Sequence, residues 1–568
     1  MFFPKLNILR QSRVTVSRFL GYDRRERAAQ GSFSHMENLC SDAYPALQVR
    51  CKRGTVGQAE RPNALTEKEA LIWVDGSTLY VNGLATGLVL TDSPKQLISM
   101  GAYLVIFPDK KWINTRDLSR FGSLENRTES HGTVTFSLCR ADGTAFERYL
   151  TAQQQPQQPE AGALWLDTSG DAPVLRRYEE SGWAAVEETC VKIAAAGIGI
   201  GFAAGDGVTI SGCESAGLDG SAVLLQAQDD ALVVTGILWG DTTQDTAVTV
   251  ARTVPEMDFV TQCGNRLWGC KYGVVDGRAV NEIYASKLGD FKNWNCFAGL
   301  STDSYAASRG SDGAFTAAAA YLGSVLFFKE ECIERVYTNA AGAHQIVTLE
   351  CAGVKKGSHN SVQTVEGTLY YHGSGGVYAF DGSLPVSVSQ ALGDLSLRDA
   401  AAGAVDGRYY LSAQSDDGAQ LLVYDTRLGL WHREDSLRVT DFAARGEELY
   451  ALTDHGEILS LRGGEEERIA WLAESGELGI DTAQQKYLIR VSVQLQLAQD
   501  AAVEAYISYD GGKSWQAQGV LQGTGAMGRS CLHLRPRRCD RLRWRLQGVG
   551  DCTVYSVSAV YEKGSDSL

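Results

Sequence analysis

Proline is scarce, eleven residues in a chain of 568 that holds 61 glycines. That balance, with many Tyr, Trp, Val and Thr, fits short strands joined by many turns. No long apolar helical run occurs, so no membrane-spanning helix is expected. The thirteen cysteines are odd in number and contain no CxxC pair, and Cys263 and Cys270 stand too far apart for a zinc knuckle. They read as reduced, mostly buried thiols of a protein made in the cytosol, with no metal site and no disulfide framework. A positive balance is also lacking. The formal charge of −15 argues against a general nucleic-acid binder. No apolar core of signal-peptide length lies between Met1 and Arg18.

Catalytic signatures are missing in the same way. There is no G-x-S-x-G elbow, H-E-x-x-H pair or EF-hand loop. Gly205-Asp206-Gly207 lacks the Lys-Ser/Thr and the helix that would make it a phosphate loop. No catalytic, cofactor-binding or metal-ligating residue is assigned, no cofactor is expected, and the chain is expected not to be an enzyme.

What is present is organised around Glu366–Ser383, EGTLYYHGSGGVYAFDGS. Strands are predicted over Thr368–His372 and Gly376–Phe380, joined by a Gly-rich turn and closed by Asp-Gly, the residues that reach positive φ most cheaply. The phrase recurs at Asp75–Gly83, Asp406–Asp425 and Arg445–Leu461. The spacing of the later copies is roughly 40 residues, the period of a propeller blade. The fold expected is all-β: a β-propeller of about six blades (range five to seven) over 66–125 and 253–482. It carries an inserted small β region at 126–252 and a C-terminal β-sandwich at 483–562. Residues 1–65, with Lys5, Arg10, Arg13, Arg18, Arg24, Arg25 and Arg27, read as an extended N-terminal arm. It lies either across a neighbouring subunit or around its own propeller. In both cases its basic surplus favours docking on an acidic body.

Several groups invite a chemical reading. Ser508-Tyr509-Asp510-Gly511-Gly512-Lys513-Ser514-Trp515 matches the Asp-box S-x-D-x-G-x-x-W, a hairpin turn in which Asp510 satisfies amides and Trp515 covers the turn. His432, beside Trp431 and Arg433, lies on the return strand of a blade with no nameable catalytic partner. Glu330 and Glu331 would point to opposite faces of a strand, unlike a glycosidase pair. Glu465-Glu466-Glu467 reads as a solvated turn or as a cation or partner site. Trp165, Tyr178 and Trp183 in the insertion read as a mini-core, or as a partner-binding cluster.

Asn38–Pro45, Gly289–Trp294 and Gly375–Gly382, in this order of features, carry a resemblance. The chain resembles the β-propeller proteins of phage tails, in particular tail-hub or packaged-DNA stabilisation proteins, as found in prophages of gut Clostridia. The insertion's Leu164-Trp165-Leu166-Asp167-Thr168 phrase resembles pieces of tail-fibre and baseplate proteins. The resemblance implies a structural virion protein at the tail or head–tail junction, assembling as a homo-oligomeric ring through propeller and arm. The partners implied are other tail or connector proteins and DNA passing without sequence-specific binding. The alternative is a tail module that binds host surface glycan, with a sialidase-like hydrolase after it.

Overall fold

The computed structural model describes residues 11–563 apart from 147, 181, 216, 479–484, 533, 535–536 and 540. Lys5 and Arg10 of the basic arm, and the first residues of the expected sandwich, lie outside the described residues. The all-β expectation holds: two short 3-10 turns, His359–Ser361 and Gln390–Leu392, are the helical elements among the described residues. The chain divides into two compact units. One comprises 1–94, 328–333 and 349–568; the other comprises 95–327 and 334–348.

The first unit holds four four-stranded antiparallel meanders, at residues 62–89, 363–387, 398–433 and 439–460. The last takes its fourth strand from the N-terminal side, where Gly54–Gln58 pairs with Glu457–Ser460. The predicted hairpin forms as read: Thr368–Gly373 pairs with Gly376–Phe380 in register Leu369↔Phe380 through Gly373↔Gly376. First strands of successive meanders are tied by side chains. Gln363 donates to the Ala402 carbonyl at 3.0 Å, and Asp441 accepts the Leu65 N–H at 2.9 Å. A side chain on one inner strand thus satisfies main-chain groups on the next.

The sandwich completes this unit. A five-stranded sheet runs Phe33–Glu37, Ala470–Ser475, Arg543–Val549, Ala502–Ser508, Gln516–Gln522. A seven-stranded sheet centres on Cys552–Lys563 and Lys486–Leu497, and Gln11–Val16 pairs with the former. The sandwich therefore starts at Ala470 and recruits N-terminal strands. Of the two readings of the arm, residues 11–58 follow the second. They are woven into sheets of their own chain, not extended.

The second unit holds three meanders, at 96–123, 259–308 and 317–350, most of the last falling within it. Gln96 repeats the latch, accepting from Val260 N–H at 2.9 Å and donating to the Asp258 carbonyl at 2.8 Å. Residues 126–252 form an eight-stranded and a small four-stranded sheet. They share a core that includes Phe136, Ile193, Val208 and Leu232.

Candidate functional site

The residues singled out from sequence mostly serve the fold. His432 lies in the strand Leu430–Arg433 at 3 % exposure, and burial pushes its imidazole down to about 4, so it is neutral at pH 7. Asp510 accepts from Ser508 Oγ (2.7 Å), Ser514 N–H (3.0 Å) and Ser514 Oγ (2.5 Å), which together hold its carboxyl far below the usual range. The Arg545 guanidinium stacks 4.1 Å over the Trp515 ring. Glu330 and Glu331 occupy the turn between the strands Ser324–Phe328 and Cys332–Thr338, not a strand, so the two-faces expectation is corrected. Nor is the acidic run merely solvated. Glu466 takes the Arg50 guanidinium at 2.6 Å and the Arg53 N–H at 2.8 Å, so its partner is this chain's own N-terminal segment. Trp165, Tyr178 and Trp183 pack edge to face, with centroids 5.4 Å apart in both pairs. Among the described residues no group of His, Cys, Asp and Glu could hold a metal ion. No described helix is long and apolar enough to cross a membrane.

Three concavities stand out among the described residues. One, about 490 Å³, is lined by Arg50, Lys52 and Arg462 among others. Its charges are already engaged, Arg50 with Glu466, Lys52 with the Glu467 carbonyl and Arg462 with Asp406. It is a seam between N-terminal strands and the sandwich.

The second, about 400 Å³, is a groove on the outer face of the five-stranded sheet. Register explains its shape. Glu37, Leu472, Gln547, Glu504 and Val520 are consecutive partners across all five strands. The neighbouring row on the same face is Ala470, Val549, Ala502. Small side chains beside a taller row leave a trough about 19 Å long across the strands. Tyr506 Oη and Gln547 Nε2 both donate to Glu504 Oε2, at 2.5 and 2.9 Å, and hold that carboxylate ionised and oriented. Glu37 is held at about 2 by His35 and by Arg433, whose guanidinium lies at 2.6 Å. The two carboxylates stand three strand spacings apart, about 14 Å. A glycosidase pair stands about 5–9.5 Å apart, with one carboxyl raised. What the groove offers is fixed acceptors above an apolar floor, the arrangement that holds a polyhydroxylated chain. Sequence reading missed it because Glu37 and Glu504 come into one row only through long-range register.

The third concavity lies in the second unit. It holds about 250 Å³ and is lined by Arg266, Trp268, Tyr337, Thr338 and His344 among others.

The carboxyl raised most plainly among the described residues is Asp441, pushed up to about 7 by burial. It accepts the Leu65 and Phe442 N–H groups, which makes it a latch between inner strands.

No family model matches the chain, and no curated protein matches it in sequence. Solved structures are similar to it at low scores. The designed protein Ika8 is 12 % identical with a TM-score of 0.27, over 72 % of this chain and 98 % of its own. The exo-β-1,3-galactanase of Phanerochaete chrysosporium is 8 % identical with a TM-score of 0.20, over 53 % and 94 %. The endosialidase of phage phi92 is 10 % identical with a TM-score of 0.17, over 78 % and 60 %. The expectation that the chain is not an enzyme is not upheld by this set, in which glycan hydrolases recur. At these scores the likeness assigns the chain no activity.

Proposed function

We propose that this chain is a tail or head–tail-junction component of a bacteriophage or prophage, and that its sandwich groove engages a glycan of the host surface. The tail assignment rests on the phrases that resemble phage tail propeller proteins. The observation that carries the glycan reading is the row Glu37–Leu472–Gln547–Glu504–Val520, with the Glu504 carboxylate oriented by Tyr506 and Gln547. Sugars donate vicinal hydroxyls to fixed carboxylates and lay their C–H faces on apolar surface, and both are present in one trough. In the assembled particle the partners are other tail proteins and further copies of the chain in a ring.

The test is a glycan array probed with the full chain, Glu504→Gln and Gln547→Ala. Saturable binding to a surface polysaccharide that falls at least tenfold in both variants supports the groove. Binding unchanged in both removes it, and cleavage of the bound glycan assigns hydrolysis in addition. Electron microscopy of the chain co-expressed with its gene neighbours tests the tail: a particle that stays monomeric and joins no tail structure overturns that half.

A further inference from the structure

The pocket of the second unit has a different construction. It sits where connections of two consecutive meanders meet: the turns at 264–265 and 322–323, the long connection 286–304 and the turn 339–343. All are first-to-second or third-to-fourth strand connections, so they fall at one end of their sheets. Gly264 and Asn265, at φ +59° and +58°, make the tight turn that opens the site. The connection is then fixed from below. Arg266, 4 % exposed, donates to the Ser286 (2.7 Å), Asp303 (2.5 Å) and Ser301 (2.7 Å) carbonyls. The Asp303 carboxylate accepts the Ala298 and Leu300 N–H groups at 2.6 and 2.9 Å. A long surface connection held this way is preorganised before any ligand arrives.

One wall is aromatic. The His344 ring stands edge-on to both Trp268 and Tyr305, with centroids 5.0 Å from each. Its Nδ1 is 3.0 Å from Thr338 Oγ1, which fixes the ring and leaves Nε2 to face elsewhere. Burial and the Arg266 charge lower its pKa, so the imidazole is neutral at pH 7. Leu288 and Tyr337 at the mouth are 43 % and 40 % exposed, and Phe297 and Leu300 on the same connection are 56 % and 65 % exposed. The lining contains no carboxylate, and its one charged side chain, Arg266, is buried with its guanidinium bonded to three main-chain carbonyls.

We infer that this pocket binds a single uncharged sugar residue, its C–H face against Trp268 and His344 with Tyr337 at the mouth, and its hydroxyls on His344 and the Ser301–Thr302–Thr338 edge. The volume suits one ring rather than an extended chain. A sialic or uronic acid would bring a carboxylate to a site whose one cation, Arg266, is 4 % exposed and turned onto three main-chain carbonyls, so the acid would pay desolvation with no direct ion pair to offset it. Aromatic faces and neutral donors favour a neutral sugar instead.

Saturation-transfer NMR on the full chain, with glucose, galactose, N-acetylglucosamine, sialic acid and glucuronic acid as probes, reads this directly. At least one neutral sugar is expected to give saturable transfer at millimolar concentration, and the two acids none. His344→Ala is expected to weaken that signal tenfold or more, and Thr338→Val several-fold, while Glu504→Gln in the other unit leaves it unchanged. The Thr338 variant removes one hydroxyl at the pocket edge, so it keeps the test open should the His344 variant unfold. Preference for the acids, no saturable transfer from any neutral sugar, or transfer that survives both pocket variants overturns the inference. Because the sandwich groove is scored by its own variants, the two readings fail separately.

Discussion

The groove of the first unit and the pocket of the second reach a similar chemistry by opposite routes. Strand register builds the groove: five residues in one row across five strands, flanked by a row of alanines and a valine. It is shallow and long, with the Glu504 carboxylate oriented by Tyr506 and Gln547. Turns build the pocket, with Arg266 pinning three carbonyls beneath it. A sheet face is rigid without further expense and can hold a chain. A loop-built site needs a buried fastener and can enclose a ring. The regular part of a β fold thus supplies extent, and the irregular part supplies enclosure.

The largest effect should come from the fastener of the first unit. Arg53 donates to Glu434 and Asp435, both at 2.7 Å, and Arg53 and Glu434 side chains are each 8 % exposed. Arg53→Ala leaves the buried Glu434 carboxylate to Arg50, 3.9 Å away, and is expected to cost about 3 kcal/mol. Denaturant melting should show the loss, and limited proteolysis should show Gly54–Gln58 released from Glu457–Ser460. If that strand crossed to a neighbouring subunit, the loss would instead depend on protein concentration.

Arg266→Met makes the matching cut in the second unit. It orphans three carbonyls but leaves no unpaired charge, so about 1–3 kcal/mol is expected, less than for Arg53. Hydrogen exchange should quicken over 286–304 and stay unchanged in the sandwich. Equal costs for the two variants would mean that the fasteners are not different in kind.

This contrast also marks what the sequence disclosed. Local pairing was legible. The Gly-punctuated hairpin at Thr368–Phe380, the turn chemistry of Asp510 and the insertion's aromatic cluster depend on neighbours a few residues away. Long-range pairing was not. Nothing in Phe33–Glu37 announces that it lies beside Ala470–Ser475, or in Gln11–Val16 that it lies beside Cys552–Lys563. The basic residues at Arg50 and Arg53 looked like an arm seeking an acidic partner. They had one, Glu434, Asp435 and Glu466 of the same chain. Both candidate sites were invisible for the same reason. Each takes its residues from strands or turns brought together by tertiary register, and no spacing rule encodes that.

A smaller effect separates the units by pH. Asp441, raised to about 7 by burial, binds its proton more tightly folded than unfolded. Its contribution to stability is therefore complete below about pH 4 and is lost as pH rises to about 7. Asp441→Asn removes that slope. The difference in Tm between wild type and variant should narrow or invert from about pH 5 to about pH 8, in the transition that involves the first unit. His344 in the second unit works the other way. Its lowered pKa gives stability that is full above about pH 6.5 and falls with acid, so His344→Gln should flatten the acid side alone.

The smallest effect is also the sharpest. Glu504 is exposed and makes its bonds to Tyr506 and Gln547 within the groove, so Glu504→Gln is expected to shift stability by less than about 0.5 kcal/mol. The amide keeps the size and one acceptor but loses the charge that orients both neighbours. Binding to an extended glycan should drop tenfold or more while Tm stays put and the neutral-sugar signal of the other unit is untouched. A change of function without a change of stability is what a binding residue on a rigid sheet must show. A drop in Tm with no change in binding would instead make Glu504 a strut of the sheet face, and the comparison between groove and pocket would lose its first half.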